Sequence, residues 1–137
     1  MKKESFIILP LSIGVAISLL TKPYMLNYNG LLPKIIFPIV WSILYLLIGL
    51  SMYLIKDDDE LLALFKVNLI FNYAWTFIFF VFNMKILAFI WIIMLIIITT
   101  YMIKKLRKVN KLSSNLLIPY DIWLVFASIL NIIEIFR

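Results

Sequence analysis

The stretch NLIFNYAWTFIFF, residues 68–80, is apolar enough to lie in lipid, yet it carries two primary amides one helical turn apart. At 3.6 residues per turn, Asn68, Asn72, Trp75 and Phe79 fall on one face of a helix. Two other apolar stretches carry comparable stripes, Trp41, Tyr45, Gly49 and Met52 in one and Tyr120, Trp123, Ala127, Asn131 and Glu134 in the other. Indole and phenol rings offer flat π-faces, and amides offer directional hydrogen bonds. Three such faces packed together would line a cavity suited to a flat, largely apolar ligand with a few polar edges. The same residues have a plain structural use. Amides can bond helix to helix, at roughly 0.6 kcal/mol each, and Trp and Tyr can form interfacial belts, which fits Trp41 and Trp123 near span ends. The pattern alone leaves both uses open. Trp91 has no polar neighbour on its own face and reads as a belt or lipid-facing residue.

Other chemistries are narrowed by composition. The 137 residues include neither His nor Cys, so the commonest general base, the commonest metal ligand and any disulfide are absent. The acidic run at 57–60 suits the positive end of a helix dipole, and four adjacent acids cannot converge on one ion, so no metal site is read there. Asp121 has a favoured reading, paired with a lysine of the nearby basic loop or with interfacial water, and a sharper one as a pocket acid or proton site. Glu134, near the C-terminus, can reach interfacial water beside Arg137.

The elements that must position these residues are membrane spans. With 65% hydrophobic and 15% charged residues, the composition is that of an integral membrane protein. Five apolar segments, about 5–21, 36–55, 61–82, 86–103 and 115–136, each approach the ~20 residues that cross a bilayer. None alternates with period two, which excludes a β-barrel pattern. The expected fold is an all-α integral membrane protein, a five-transmembrane-helix bundle forming one domain over 1–137. Residues 22–35, TKPYMLNYNGLLPK, read as an ordered loop. The first segment reads as a retained span, because no small-residue cleavage site follows it.

The net charge of +6 has a membrane explanation. Five of the thirteen Lys and Arg lie in KKLRKVNK, 104–111, which reads as a loop held by anionic headgroups. No aromatic or glycine-rich scaffold accompanies the charge, so no nucleic-acid partner is expected. Nine of the thirteen cations fall on one side of the predicted bundle. The positive-inside rule then places the N-terminus in the cytoplasm and the C-terminus and 22–35 loop outside. The Ile, Lys and Asn bias points to an AT-rich bacterial genome and so to a bacterial plasma membrane.

Three segments, FPIVWSILYLLIGLSMYL (37–54), NLIFNYAWTFIFF (68–80) and LLIPYDIWLVFASILN (116–131), together resemble the TspO/MBR family, the tryptophan-rich sensory proteins and translocator proteins. The shared pattern is W-x-x-L-Y-x-x-x-G, N-x-x-W-x-x-x-F-F and P-Y-x-x-W-x-x-F-A-x-x-L-N, in that order. The first and fourth spans match mainly by length and position. The resemblance implies a five-helix bundle, usually a homodimer, with a ligand cavity closed by the loop after the first helix. It implies binding of porphyrins such as protoporphyrin IX and of benzodiazepine-type ligands, with porphyrin as ligand and no required cofactor. Carried over singly, Trp41 and Trp123 fall on cavity tryptophans and Asn72 on the third-helix asparagine. Trp75 falls on an aromatic wall position, Ala127 on a small residue that governs ligand binding, and Pro33 on the second proline of the loop. The expected ligand-binding set is Pro33, Trp41, Tyr45, Asn68, Asn72, Trp75, Phe79, Tyr120, Trp123, Ala127 and Asn131.

The chain departs from the family pattern in places. The loop motif K-P-x-W-x-P-P is thinned to Y-N-G-L-L-P, with Gly30 where a tryptophan would stand, which weakens the expected lid. Asn68 replaces a glutamine, and Asp121 occupies a position usually apolar. No Lys or Arg follows Tyr120 closely enough to form the cholesterol motif of animal members. Three functions are expected in order: a porphyrin-binding sensor or transport protein, a light-dependent porphyrin-degrading activity using Trp41 and Trp123, and a purely structural helical subunit.

Overall fold

The computed structural model describes the backbone of residues 3–26 and 36–137 and the side chains of residues 5–25 and 36–137. A short 3-10 turn, Lys3–Ile7, leads into helix α1, Leu9–Leu26. Helices α2 (Ile36–Leu54), α3 (Asp59–Thr76), α4 (Lys85–Arg107) and α5 (Lys111–Phe136) follow, with α3 prolonged by a π-helical turn, Phe77–Val81. The chain is an all-α integral membrane protein of five helices. Four are long and apolar enough to span a bilayer, at 19, 23, 23 and 26 residues, α3 being counted with its π turn, while α1 is a shorter apolar helix. Ile39, Ile70, Ile86, Ile97 and Ile122 turn outward, as side chains do when lipid is the solvent.

Local chemistry sets most helix ends. Asp58 caps α3 by accepting the Leu61 N–H at 3.0 Å, and Asp59 and Glu60 sit in the first turn, where the helix dipole favours acids. Asn110 caps α5 in the same way, accepting the Ser113 N–H at 3.0 Å. Lys104, Lys105 and Arg107 close α4 at its negative end. These caps shift two expected boundaries. The basic 104–111 segment is mostly helical, because Lys and Arg are good helix formers and extend α4 to Arg107, while α5 begins at Lys111. The expected loop 22–35 is also shortened, since α1 continues through Pro23 to Leu26. Pro23 lies within the last turn, where its missing N–H costs a single bond and does not end the helix. The rest of that loop, 27–35, lies outside the described residues.

The bundle is tightest between α4 and α5. Helix α5 also packs on α2, α3 on α4, and α1 on α2. Gly49 lets the N-terminal turn rest on α2: a Cβ there would collide with the Ile7 carbonyl oxygen and stand 2.8 Å from that of Phe6. Beyond the π turn, Asn83 takes a left-handed φ of 54°, which breaks α3 and redirects the chain into α4.

Candidate functional site

The amides of α3 enter a buried hydrogen-bond chain that joins four helices. Tyr45 of α2 donates its hydroxyl to Asn72 Oδ1 at 2.6 Å. Asn72 Nδ2 donates to the Tyr120 hydroxyl of α5 at 2.9 Å, and Tyr120 donates to Asn68 Oδ1 at 2.7 Å. Asn68 Nδ2 donates to Thr99 Oγ1 of α4 at 2.8 Å, and Thr99 donates to the Leu95 carbonyl at 2.8 Å. All five side chains are buried. Each hydroxyl proton is spent once, so the chain runs in one direction from Tyr45 to Leu95. Leaving any member unpaired in so dry a place would cost about 1–3 kcal/mol. Thr99 was not among the expected residues. The pair Thr99–Thr100 in an otherwise apolar run was its signal.

A second group fills the other end of the stripe. Trp75 stacks on Phe79 with centroids 4.9 Å apart and donates Nε1 to Asn131 Oδ1 at 3.3 Å. Asn131 Nδ2 in turn donates to the Lys85 carbonyl at 2.8 Å. The Lys85 ammonium caps the π turn, donating to the Phe79 carbonyl at 3.0 Å, and sits 3.4 Å from the Phe79 ring centroid. Phe37, Ala127 and Leu130 complete this packing and leave a void of about 10 Å³, too small for any ligand. Trp75, Phe79, Ala127 and Asn131 are therefore close-packed core in this structure.

An open cleft next to the aromatic stripe of α2 lies between α1 and α2. Trp41 and Tyr45 stack at 5.5 Å and 27° and line a mainly apolar cleft of about 180 Å³. Leu11, Gly14, Ile17 and Ser18 of α1 form the opposite wall, with Pro38, Ser42 and Thr76 around it. Gly14 is required for the close approach, since a Cβ there would stand 2.6 Å from the Tyr45 ring. Behind the cleft, Trp41 meets Tyr120 at 6.4 Å and Trp123 at 6.3 Å, both edge-on. Trp123 also packs against Phe37 and Phe126, and its Nε1 is buried with no hydrogen-bond partner among the described residues.

The expected site residues thus separate into three layers. Trp41 and Tyr45 line the cleft, and Trp123 backs Trp41. Asn68, Asn72 and Tyr120 form the polar chain behind Tyr45, and Trp75, Phe79, Ala127 and Asn131 fill the far core. Pro33 and Gly30 lie outside the described residues. Trp91 is half-buried, stacking on Phe71 at 4.7 Å and donating Nε1 to the Phe71 carbonyl at 2.9 Å. One further expectation is corrected. Asp121 takes its hydrogen bond from Thr100 Oγ1 at 2.8 Å rather than from a loop lysine, because the apposed surface of α4 places Thr100 against it. Glu134 pairs with Arg137 at 3.1 Å, as its spacing implied.

Comparison with known proteins agrees with this arrangement of motifs. The profile of the TspO/MBR family matches residues 6–135. The tryptophan-rich protein TspO of Chlorobaculum tepidum is 31% identical over 135 residues, covering 88% of this chain and 85% of the relative. That of Archaeoglobus fulgidus is 33% identical over 104 residues, 72% of this chain and 67% of the relative. The Bacillus cereus protein of the same name is 31% identical over 104 residues, 72% and 68% respectively. With a match running nearly end to end, over residues 6–135, the chain belongs to the TspO/MBR family.

Proposed function

We propose that this protein is a membrane receptor or transport protein that takes flat, largely apolar ligands of the porphyrin class into the cleft beside Trp41. The observation that carries this reading is the stacked Trp41–Tyr45 pair lining the α1–α2 cleft. An indole face backed by a second indole offers a stacking platform, and the apolar lining favours a ligand drawn from lipid. At about 180 Å³ the cleft is smaller than the ~300 Å³ at which drug-sized sites begin. A tetrapyrrole therefore enters by displacing α1 from α2. The architecture favours that motion. The α2–α5 wall is locked by the polar chain, whereas the hydrogen bond joining α1 to the other helices among the described residues is that of Tyr73 to the Pro10 carbonyl, 2.7 Å. Asn68 and Asn72 act in this reading through Tyr45, holding the wall rather than meeting the ligand.

The same proposal places the end bearing Lys104–Lys111 in the cytoplasm of a bacterium, with the C-terminus outside. It takes the protein as a homodimer, a state that sedimentation in detergent would test. A second reading is favoured by the contact of Trp41 with Trp123. Light-dependent porphyrin breakdown would consume dioxygen: the photoexcited porphyrin on Trp41 converts it to singlet oxygen, which adds across a methine bridge and leaves both oxygen atoms on the opened macrocycle, while Trp41 and Trp123 are the indoles that the same oxygen species can oxidise. Titrating protoporphyrin IX in the dark against tryptophan fluorescence tests binding: saturable quenching supports it, and linear quenching reduces it to partitioning. Loss of porphyrin absorbance under light, faster than for free porphyrin, is the outcome that favours the second reading.

A further inference from the structure

Tyr73 of α3 holds both walls of the α1–α2 cleft without lining it. Its hydroxyl donates to the Pro10 carbonyl of α1 at 2.7 Å. Its ring lies 5.5 Å from that of Tyr45, the α2 residue on which Trp41 stacks. Tyr73 is buried, so parting it from Pro10 would strand its hydroxyl in apolar surroundings. Pro10 stands in the first turn of α1, and the 3-10 turn before it rests on Gly49, where a Cβ would strike the Ile7 carbonyl. That end of α1 is therefore fixed twice. Beyond it the contacts change character. Gly14 meets the Tyr45 ring, and Ile17, Ser18 and Met25 face the cleft. The hydroxyls of Ser12 and Thr21 are spent within their own segment, on the Ile8 and Ile17 carbonyls. Among the described residues, no hydrogen bond ties this longer part of α1 to another helix. Apolar contact alone holds a helix weakly in lipid, because acyl chains replace it at little cost.

We propose that Tyr73 is a positioning residue for ligand entry: it pins the first turn of α1 as a pivot, so the cleft opens by a swing of the Leu26 end of α1 away from the Ile36 end of α2. The proposal rests on the reading of this cleft as the ligand site. From Pro10 to Met25 the helix runs about 22 Å, so a tilt of about 10° parts the walls by about 4 Å at the far end and leaves Pro10 within reach of the hydroxyl. That gap is the thickness of one flat ring system. A ligand then slides in from the bilayer between the two helices, edge first, toward Trp41. Through its ring, Tyr73 keeps Tyr45 and the stacking platform in place while α1 moves. Without the hydroxyl, the pivot is lost and α1 shifts along its whole length.

The test measures distances between nitroxide pairs on the full chain in phosphatidylcholine nanodiscs. The chain has no cysteine of its own, so labels go on by substitution alone. Ile8→Cys beside the pivot and Leu19→Cys on the far half of α1 are each paired with Ile97→Cys on α4, all three being exposed positions. Without ligand, the expected result is a narrow distribution for the Ile8 pair and a wider one for the Leu19 pair. Tyr73→Phe, which keeps the ring, broadens the Ile8 pair. Saturating protoporphyrin IX lengthens the Leu19 pair and leaves the Ile8 pair where it was. In rapid mixing with protoporphyrin IX, Tyr73→Phe raises the association and dissociation rates together, each at least about threefold, with affinity held within about twofold. A purely structural role would speed dissociation alone and weaken affinity. Equal widths for the two pairs in the parent, or an Ile8 pair unmoved by Tyr73→Phe, overturn the pivot. The comparison within the parent needs no variant, so it decides even if Tyr73→Phe fails to fold. A Leu19 pair that ignores porphyrin, beside an Ile8 pair that depends on the hydroxyl, supports the pivot and removes the porphyrin from the cleft.

Discussion

Tyr45 gives its ring to the α1–α2 cleft and its hydroxyl proton to Asn72, across 2.6 Å, so one side chain belongs to both the open surface and the buried polar chain. The amide stripe of α3 is therefore tied to the cleft without facing it. Replacing Asn72 by Leu strands the Tyr45 hydroxyl and removes one donor to the Tyr120 oxygen, while Tyr120 keeps its bond to Asn68. We expect a loss of about 1–3 kcal/mol in thermal or denaturant unfolding and a several-fold weaker porphyrin affinity through the loosened Tyr45 ring. A double-mutant cycle with Tyr45→Phe should return a coupling of about 0.6–1.7 kcal/mol. Additive effects would mean that Tyr45 and Asn72 do not act as a pair.

Gly14 sets how closely α1 approaches the same ring. A Cβ there would stand 2.6 Å from Tyr45 Cε2, so Gly14→Ala must move the ring or α1. The fold should survive, with a stability change within about 1–3 kcal/mol for the overpacking. Porphyrin affinity should change by more than thermal stability does. An unaltered affinity would place the ligand away from this wall.

Ala127 lies in the packed far core, beside a void of about 10 Å³. Ala127→Leu has no room to fit, and it should destabilise the protein by about 1–3 kcal/mol while disturbing the Trp75–Asn131 hydrogen bond. Tryptophan emission and unfolding midpoint together report both effects. A neutral outcome would show that this core opens more readily than its packing implies.

The stripes on α2, α3 and α5 were legible because a period of 3.6 survives even in sequences apolar on every side. Where each polar group spends its hydrogen bonds was not legible, since that depends on helices distant in sequence. Asn72 meets residues 27 and 48 positions away. Trp91 finds a backbone carbonyl, which no side-chain pattern announces. The π turn at Phe77–Val81 follows an unremarkable run of Phe, Ile and Val. Pro23 misled in the opposite direction, because proline near the end of a membrane helix interrupts one bond rather than the helix. The family motifs supplied the fold and the register of the tryptophans; only the packed structure separated the residues lining the cleft from those supporting it.

The most direct measurement compares dark protoporphyrin IX titrations, in nanodiscs, of the parent, Trp41→Phe and Trp91→Phe. Trp91 is bonded to Phe71 and absent from the cleft lining, so it serves as the control indole. The account predicts saturable binding in the parent, at least about tenfold weaker binding in Trp41→Phe, and parental affinity in Trp91→Phe. Equal affinity for the parent and Trp41→Phe would contradict it and take the porphyrin out of the α1–α2 cleft.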